Sequence, residues 1–454
     1  MLALLSNRAR AWSGLHPECV VSVLSKPIGA ITKVDLDALV EAKARETNEL
    51  EFKGALPFRP TKGQPETADR WIEKGDRVGD LARDEIMAEL IAFANADGGT
   101  LILGLYEAGT KDEPRVADRL EALPRCEALL KRLLDAAEDT IEPRLVGLAG
   151  QSIADGDQGG GFVVLRVSKS IRGPHRLQGT REFYIRRGER AAKMDVREIK
   201  DLTLDLARTG DSLEAAFAGR GGITELRWQT AERKAYNGNR GAFLLRATAL
   251  PSVHTQISNL TKRKDLWWNG KAFHISINGR DLSSDYPSSR FDGTPRPRLR
   301  AFEMLPGPED DQRLYRTIRS DGLVEFTLSH ARYNSSSAEF GTYIYFDWIA
   351  QLIAGTLCQV ERLRSLIGQD TTSYALELEI WSGEGSRMLL FGDRHTAPSG
   401  QLTQAGPILL PRIEVAGVAE FSSVLSLLLL DISNAWGQHW DFPVTAPWDT
   451  LLRD

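Results

Sequence analysis

Ala92-Phe93-Ala94-Asn95-Ala96-Asp97-Gly98-Gly99-Thr100-Leu101-Ile102-Leu103-Gly104-Leu105-Tyr106-Glu107 decides the fold. The run ends a helix, turns on a glycine pair and continues as an apolar strand. Upstream, Ile86, Leu90, Phe93 and Ala94 share one face of a helix expected from about Leu81 to Ala96. Gly98 suits a left-handed helix end, and Gly99 lets the chain turn directly into the strand. The strand is almost wholly apolar, so it is expected to be covered on both faces. Glu107 is the first charged residue after it, at the carboxyl end, where α/β sheets place their sites.

Working outward, Thr32-Lys33-Val34-Asp35 is a capping box opening a helix that carries Leu36, Leu39 and Val40 to about Arg45. Leu50-Glu51-Phe52-Lys53 alternates as a half-buried strand with Leu50 and Phe52 inward. A polar loop is expected over about 57–76. After Glu107 the pattern predicts a helix near 124–138, strands near 143–149 and 161–168, a strand at Phe183 to Arg186, and a helix near 195–208. This alternation fits an α/β to α+β domain over 32–210, behind a weakly ordered leader at 1–31.

Gly219, Gly221 and Gly222 mark 211–222 as a linker. A second α+β domain follows over 223–454, where eight of the ten tryptophans lie. Its expected strands are Ala242–Ala249, Val324–Ser329, Tyr374–Trp381 and Ile408–Val415, with helices at about 347–366 and 419–435. The Pro- and Arg-rich loop 283–300 is expected to be mobile. Lys262-Arg263-Lys264 beside Trp267-Trp268 suits either single-stranded nucleic acid or, more ordinarily for tryptophans, a core.

The 454 residues carry a formal net charge of −5, with 42% hydrophobic and 26% charged residues. That is globular composition, and it excludes a protein that coats nucleic acid by bulk charge. Three cysteines, none in a CxxC, argue against a disulfide framework or structural zinc and for a reducing compartment. No apolar run approaches the roughly 18 residues of a membrane span, so a cytoplasmic location is expected. The seven histidines form no HExxH, no GxSxG surrounds a nucleophile, and no GxxxxGK[ST] supports a Walker-type nucleotide site.

Charge is distributed unevenly. Residues 1–160 hold 20 basic and 28 acidic side chains, whereas 161–200 hold 11 and 4. Arg172, His175, Arg176, Arg181, Arg186, Arg187, Arg190 and Lys193 fall within twenty-two positions, several of them in a hairpin from Arg172 to Arg190. They can present bidentate donors to phosphates, or form a solvated basic face balanced by the acidic segments. Opposite in sign, Glu46, Glu49 and Glu51 crowd a helix-to-strand junction before Lys53. Paired carboxylates near a lysine suit divalent-metal cleavage of phosphodiesters, and strand alternation alone pairs Glu49 with Glu51.

Three blocks together resemble the Schlafen-type AlbA-like domain family of bacterial type. They are Glu46-Thr47-Asn48-Glu49-Leu50-Glu51-Phe52-Lys53, the Ala92–Glu107 run, and Tyr184-Ile185-Arg186-Arg187-Gly188. The resemblance covers about 32–210. It implies nucleic-acid binding and, as in nuclease members, a three-carboxylate site that falls on Glu46, Glu51 and Glu107 with Mg²⁺ or Mn²⁺. It thus selects Glu46 over Glu49. Nuclease members usually carry Asp at the position of Glu107, and the extra methylene moves the carboxylate by about 1.5 Å.

The expectation is therefore a metal-dependent endoribonuclease acting on structured RNA such as transfer RNA, in antiviral defence or stress response. Glu46, Glu51 and Glu107 would hold the metal, and Lys53 would meet the scissile phosphate. Arg172, His175, Arg176, Arg186, Arg187, Arg190 and Lys193 would track the backbone. The alternative is a non-catalytic DNA- or RNA-binding transcriptional regulator, or the ATP-binding protein that members are sometimes described as. RNA is the favoured partner, DNA the other, and the C-terminal domain is a candidate for homo-oligomer formation.

Overall fold

The computed structural model describes residues 23–24, 26, 28–57, 72–73, 77–109, 115–156, 159–237, 242–268, 276–277, 280–281, 295–305, 312–330, 343–367, 369, 372–382, 388–391, 400–402, 406–439, 444–446, 448 and 452. The chain divides into two compact units, residues 1–208 with 368–371, and residues 209–367 with 372–454.

In the first unit, Thr32 starts α1 (Lys33–Glu41): its backbone N–H donates to the Asp35 carboxylate at 2.9 Å and its hydroxyl at 3.1 Å. Next come β1 (Leu50–Lys53), α2 (Asp80–Ala94) and β2 (Gly98–Leu103). A hairpin of β3 (Leu105–Ala108) and β4 (Val116–Leu120) follows, then α3 (Cys126–Thr140), β5 (Ile141–Glu142), β6 (Leu148–Ala154) and β7 (Gly161–Ser168). The main sheet runs β1-β2-β7-β6, with β1 parallel to β2 and the other neighbours antiparallel. A second sheet, β10-β9-β8-β5, adds β8 (Arg176–Leu177), β9 (Glu182–Arg187) and β10 (Arg190–Lys193).

Period-two alternation sends Leu50, Phe52, Ile102 and Val164 to one face, against Leu36 and Leu39 of α1. The opposite face carries Leu101, Leu103, Val163 and Leu165, against Ile86, Leu90 and Phe93 of α2 and Leu129 and Leu133 of α3. β2 is almost wholly apolar because both faces are covered, as expected, and its Thr100 hydroxyl accepts from Arg166 at 3.0 Å. Glu51 and Lys53 register with Leu101 and Leu103, which turns them toward α2 rather than toward water.

The glycine pair is structural. Gly98 sits at φ +85°, and a Cβ on Gly99 would lie 2.2 Å from the Phe93 ring. Asn95 ties the end of α2 to the second sheet. Its Nδ2 donates to the carbonyls of His175 (2.8 Å) and Tyr184 (2.9 Å), and its Oδ1 accepts the His175 N–H (2.7 Å).

Several expectations need correction. Val23 and Ile31, placed in a weakly ordered leader, are fully buried, and Arg166 donates to the carbonyls of Val23 and Lys26. The strand expected at 143–149 starts at Leu148. Residues 211–222, expected as a linker, lie inside α4 (Val196–Asn237). Of the loop 283–300, residues 296–298 form a strand, and 283–294 lie outside the described residues. Residues 72–73 of the 57–76 loop pair with 77–78, while 58–71 and 74–76 lie outside the described residues.

The second unit centres on an eight-stranded antiparallel sheet. Its strands are β11 (Phe243–Pro251), β12 (Arg296–Arg298), β13 (Ala301–Met304), β14 (Gln312–Arg319), β15 (Val324–His330), β16 (Tyr374–Ser382), β17 (Gly406–Leu409) and β18 (Ile413–Val415). The order is β12-β13-β14-β15-β11-β16-β17, with β18 also on β16. One face, with Phe243, Leu245 and Phe326, packs on α5 (Phe346–Leu366) and α6 (Phe421–Ala435). The other, with Leu244 and Leu250, meets Phe217 and Trp228 of α4. There Arg220 and Arg227 each reach the buried Glu325 at 2.7 Å. Trp267 and Trp268 are core residues. Among the described residues, no helix is long and apolar enough to cross a membrane.

Candidate functional site

Beside the carboxyl end of the parallel pair β1 and β2 lies an open cleft of about 480 Å³. Glu46, Glu51, Lys53 and Glu107 all line it, so the structure gathers these four expected residues in one place. Glu89 of α2, Arg115, Glu189 and Arg190 line it too. Glu49 is exposed in the turn before β1.

The innermost part is an alternating ring of charge. Lys53 Nζ lies 2.8 Å from Glu51 Oε1 and 3.3 Å from Glu89 Oε1. Arg186 Nη1 lies 3.0 Å from Glu51 Oε2 and 2.7 Å from Glu89 Oε2. Arg186 Nη2 also donates to Glu51 Oε2 and to the Thr47 carbonyl, both at 3.0 Å, and its guanidinium stacks 4.6 Å from the Phe93 ring centre. Burial opposes the charge on Lys53, but its hydrogen bond to Glu51 and the field of Glu89 hold the ammonium above the usual lysine range.

In front of the ring stand Glu46 and Glu107. Glu46 Oε1 accepts the Phe52 N–H at 2.9 Å. Burial, then the charges of Glu51 and Glu107, push the Glu46 carboxyl up to about 8 against the opposing pull of that N–H. Burial and Glu51 also raise Glu107, while Arg115 works the other way. Glu107 Oε1 is buried with no hydrogen-bond partner among the described residues.

The implied metal does not fit this donor set as placed. A divalent ion held by Glu46, Glu51 and Glu107 needs free carboxylate oxygens converging on one point. Both oxygens of Glu51 are on cations, and Oε1 of Glu46 is on a backbone N–H. Among the described residues, no three His, Cys, Asp or Glu side chains are arranged to share an ion. Lys53 and Arg186 balance the charges of Glu51 and Glu89 within the ring.

Two expected phosphate-contacting residues are inside the protein. His175 is fully buried with Nδ1 2.6 Å from the Pro143 carbonyl, and burial lowers its imidazole to about 4, so it is neutral. Arg186, with a side chain only 1% exposed, belongs to the ring. On β9 alternate residues face opposite ways, and Arg186 takes the covered side while Arg187 takes the open one. Arg172, Arg187, Arg190 and Lys193 are exposed. Arg187 pairs with Glu198 at 2.6 Å, Lys193 with Glu182 at 2.9 Å, and half-buried Arg176 with Glu142 at 3.0 Å.

Sequence reasoning missed Glu89 as a site residue. The readable signal was a carboxylate three residues after Ile86 and four before Phe93, on the apolar stripe of α2. A charge at that spacing needs a partner from another element.

Residues 46–195 match the family model described as Schlafen, AlbA_2. No curated protein matches the chain. Among solved structures, the N-terminal domain of an ATP-dependent DNA helicase RecG-related protein from Nitrosomonas europaea is similar, with 20% identity and a TM-score of 0.24. That alignment covers 37% of this chain and 94% of the other.

Proposed function

Because residues 46–195 belong to the Schlafen, AlbA_2 domain family, we propose that this unit binds nucleic acid, with structured RNA as the favoured partner. The observation that carries the reading is the hairpin whose outer side exposes arginines, beside a cleft in which Lys53, Arg115 and Arg190 stand among five glutamates. Phosphates are engaged from that rim, because guanidinium groups offer paired donors at fixed geometry. The charge-balanced ring below keeps Lys53 cationic without collecting net positive charge.

A hydrolytic extension, endonucleolytic cleavage of RNA such as transfer RNA in defence or stress response, is favoured by one feature. Glu107 presents a buried, unpartnered oxygen next to Glu46 and the Lys53 ammonium. Burial and neighbouring carboxylates raise both Glu46 and Glu107, and a carboxyl raised toward neutral pH is suited to proton transfer during phosphodiester cleavage. The donor set offers no three-carboxylate metal cage, so no metal step is assigned.

The test incubates the full chain with transfer RNA and with duplex DNA, in Mg²⁺, Mn²⁺ or EDTA, beside Glu51→Gln and Glu107→Gln variants. RNA retention in EDTA at the level seen with Mg²⁺ is the expected result. Cleavage that disappears in Glu107→Gln while retention persists establishes the hydrolytic extension. Preference for duplex DNA without cleavage establishes a regulator instead, and retention of neither overturns the binding reading.

A further inference from the structure

We infer that Glu89 is the positioning residue that aims Lys53 at a bound phosphate, an inference that rests on the nucleic-acid reading above. Lys53 sits on β1, Arg186 on β9 and Glu89 on α2, so three separate elements close one circuit of alternating charge. Glu51 could hold Lys53 in more than one rotamer, because both lie on the same face of one strand, two residues apart. A second carboxylate from a different element removes that freedom. Glu89 supplies it at 3.3 Å, with its other oxygen locked at 2.7 Å by Arg186.

The lysine side chain is 21% exposed, and the glutamates beneath it are nearly buried, at 5% and 9%. The ammonium therefore rests on a largely buried anionic seat at the lining of the cleft. An ammonium has three donors. Two are taken by Glu51 and Glu89, which leaves one for a phosphate oxygen. Glu85, at 3.6 Å and more exposed, adds charge without fixing direction.

The effect expected of Glu89→Gln is opposite in sign to that of charge counting. Removing a negative charge beside a polyanion should, on charge alone, tighten binding. If Glu89 instead aims Lys53, Glu89→Gln weakens binding, because one side of the seat is lost and the ammonium settles on Glu51.

The experiment measures affinity of the full chain for transfer RNA across salt concentrations. Each phosphate contact contributes about 0.7–0.9 to the log–log slope. Lys53→Met is expected to lower the slope by about that one contact and affinity by about tenfold. Glu89→Gln should match it, and the double variant should lose nothing more. Glu89→Asp, which keeps the charge and the fold but draws the carboxylate back, should fall between Glu89→Gln and the wild type.

A merely structural Glu89 lowers the melting temperature and leaves the slope of the folded protein untouched. Wild-type slope or tighter binding in both Glu89 variants, with Lys53→Met impaired, overturns the inference alone. An unchanged slope in Lys53→Met overturns it through the lysine, and failure of the wild type to retain RNA overturns the binding reading with it.

Discussion

Glu46 stands where a carboxylate is least comfortable, partly buried and facing the charges of Glu51 and Glu107. Its carboxyl is pushed up to about 8, so in the folded protein it keeps a proton that the unfolded chain releases near 4.5. Stability from this group is therefore full below about pH 4.5 and is lost as pH rises toward 8. Glutamine is neutral at every pH, and its amide oxygen can still accept the Phe52 N–H. The Glu46→Gln variant should melt with the wild type near pH 5 and above it at pH 8.5. Discounted for partial exposure, the gain is about 1 kcal/mol, or about 2–4 °C for a unit of this size. Thermal melts from pH 5 to 9 check this, and a pH-independent difference would show that Glu46 is not the strained member of the cluster. Asn95 illustrates the opposite kind of residue: its three side-chain bonds go to backbone groups, which is why its place in the Ala92–Glu107 run is architectural.

Helix α4 shows where elements outrun composition. Three glycines at 219, 221 and 222 read as a break, since each costs a helix interior about 1 kcal/mol relative to alanine. Against that stand Phe217, Arg220, Thr224 and Trp228, buried at spacings of three and four along the same stretch. Burying the two aromatic side chains contributes roughly 2–3 kcal/mol each, which offsets the glycines. That balance depends on a sheet face contributed by Leu244, Leu250 and Leu323, far away in sequence, so local reading could not weigh it. α2 was legible because its signals agreed: an apolar stripe, then Gly98 at the stop. A Cβ on Gly219, Gly221 or Gly222 meets nothing within 4 Å, so alanine there fits. Each Gly→Ala substitution should stabilise the second unit by about 0.5–1 kcal/mol, read as a rise in its melting temperature. No rise in any of the three would mean that the stretch behaves in solution as the linker its composition suggests.

For the molecule as a whole, a net charge of −5 must be reconciled with binding a polyanion, and local exposure rather than total charge decides. The residues that meet in the cleft were legible only with the family blocks: strand alternation grouped Glu49 with Glu51 and Lys53, the carboxyl end of the apolar strand pointed to Glu107, and the blocks put Glu46 in place of Glu49. The state of the basic segment was not. No sequence pattern tells which side of the hairpin is covered, and that side decided that Arg186 would neutralise Glu51 while His175 became a neutral core residue. The remaining cations differ again by their neighbours. Arg187 has its guanidinium on Glu198, so a phosphate must displace a carboxylate to reach it. Arg190 is exposed, lines the cleft and has no carboxylate partner among the described residues. Arg190→Ala should therefore lower the log–log salt slope of RNA binding by about 0.7–0.9 and weaken affinity several-fold. Arg187→Ala should change the slope by much less, because its Nε and Nη2 are both held by Glu198, whereas Lys53 keeps one donor for a phosphate oxygen. Titrations at three salt concentrations separate the two variants. Equal effects would mean that the Glu198 pair opens on binding, and no effect from Arg190→Ala would remove the cleft rim from the interface.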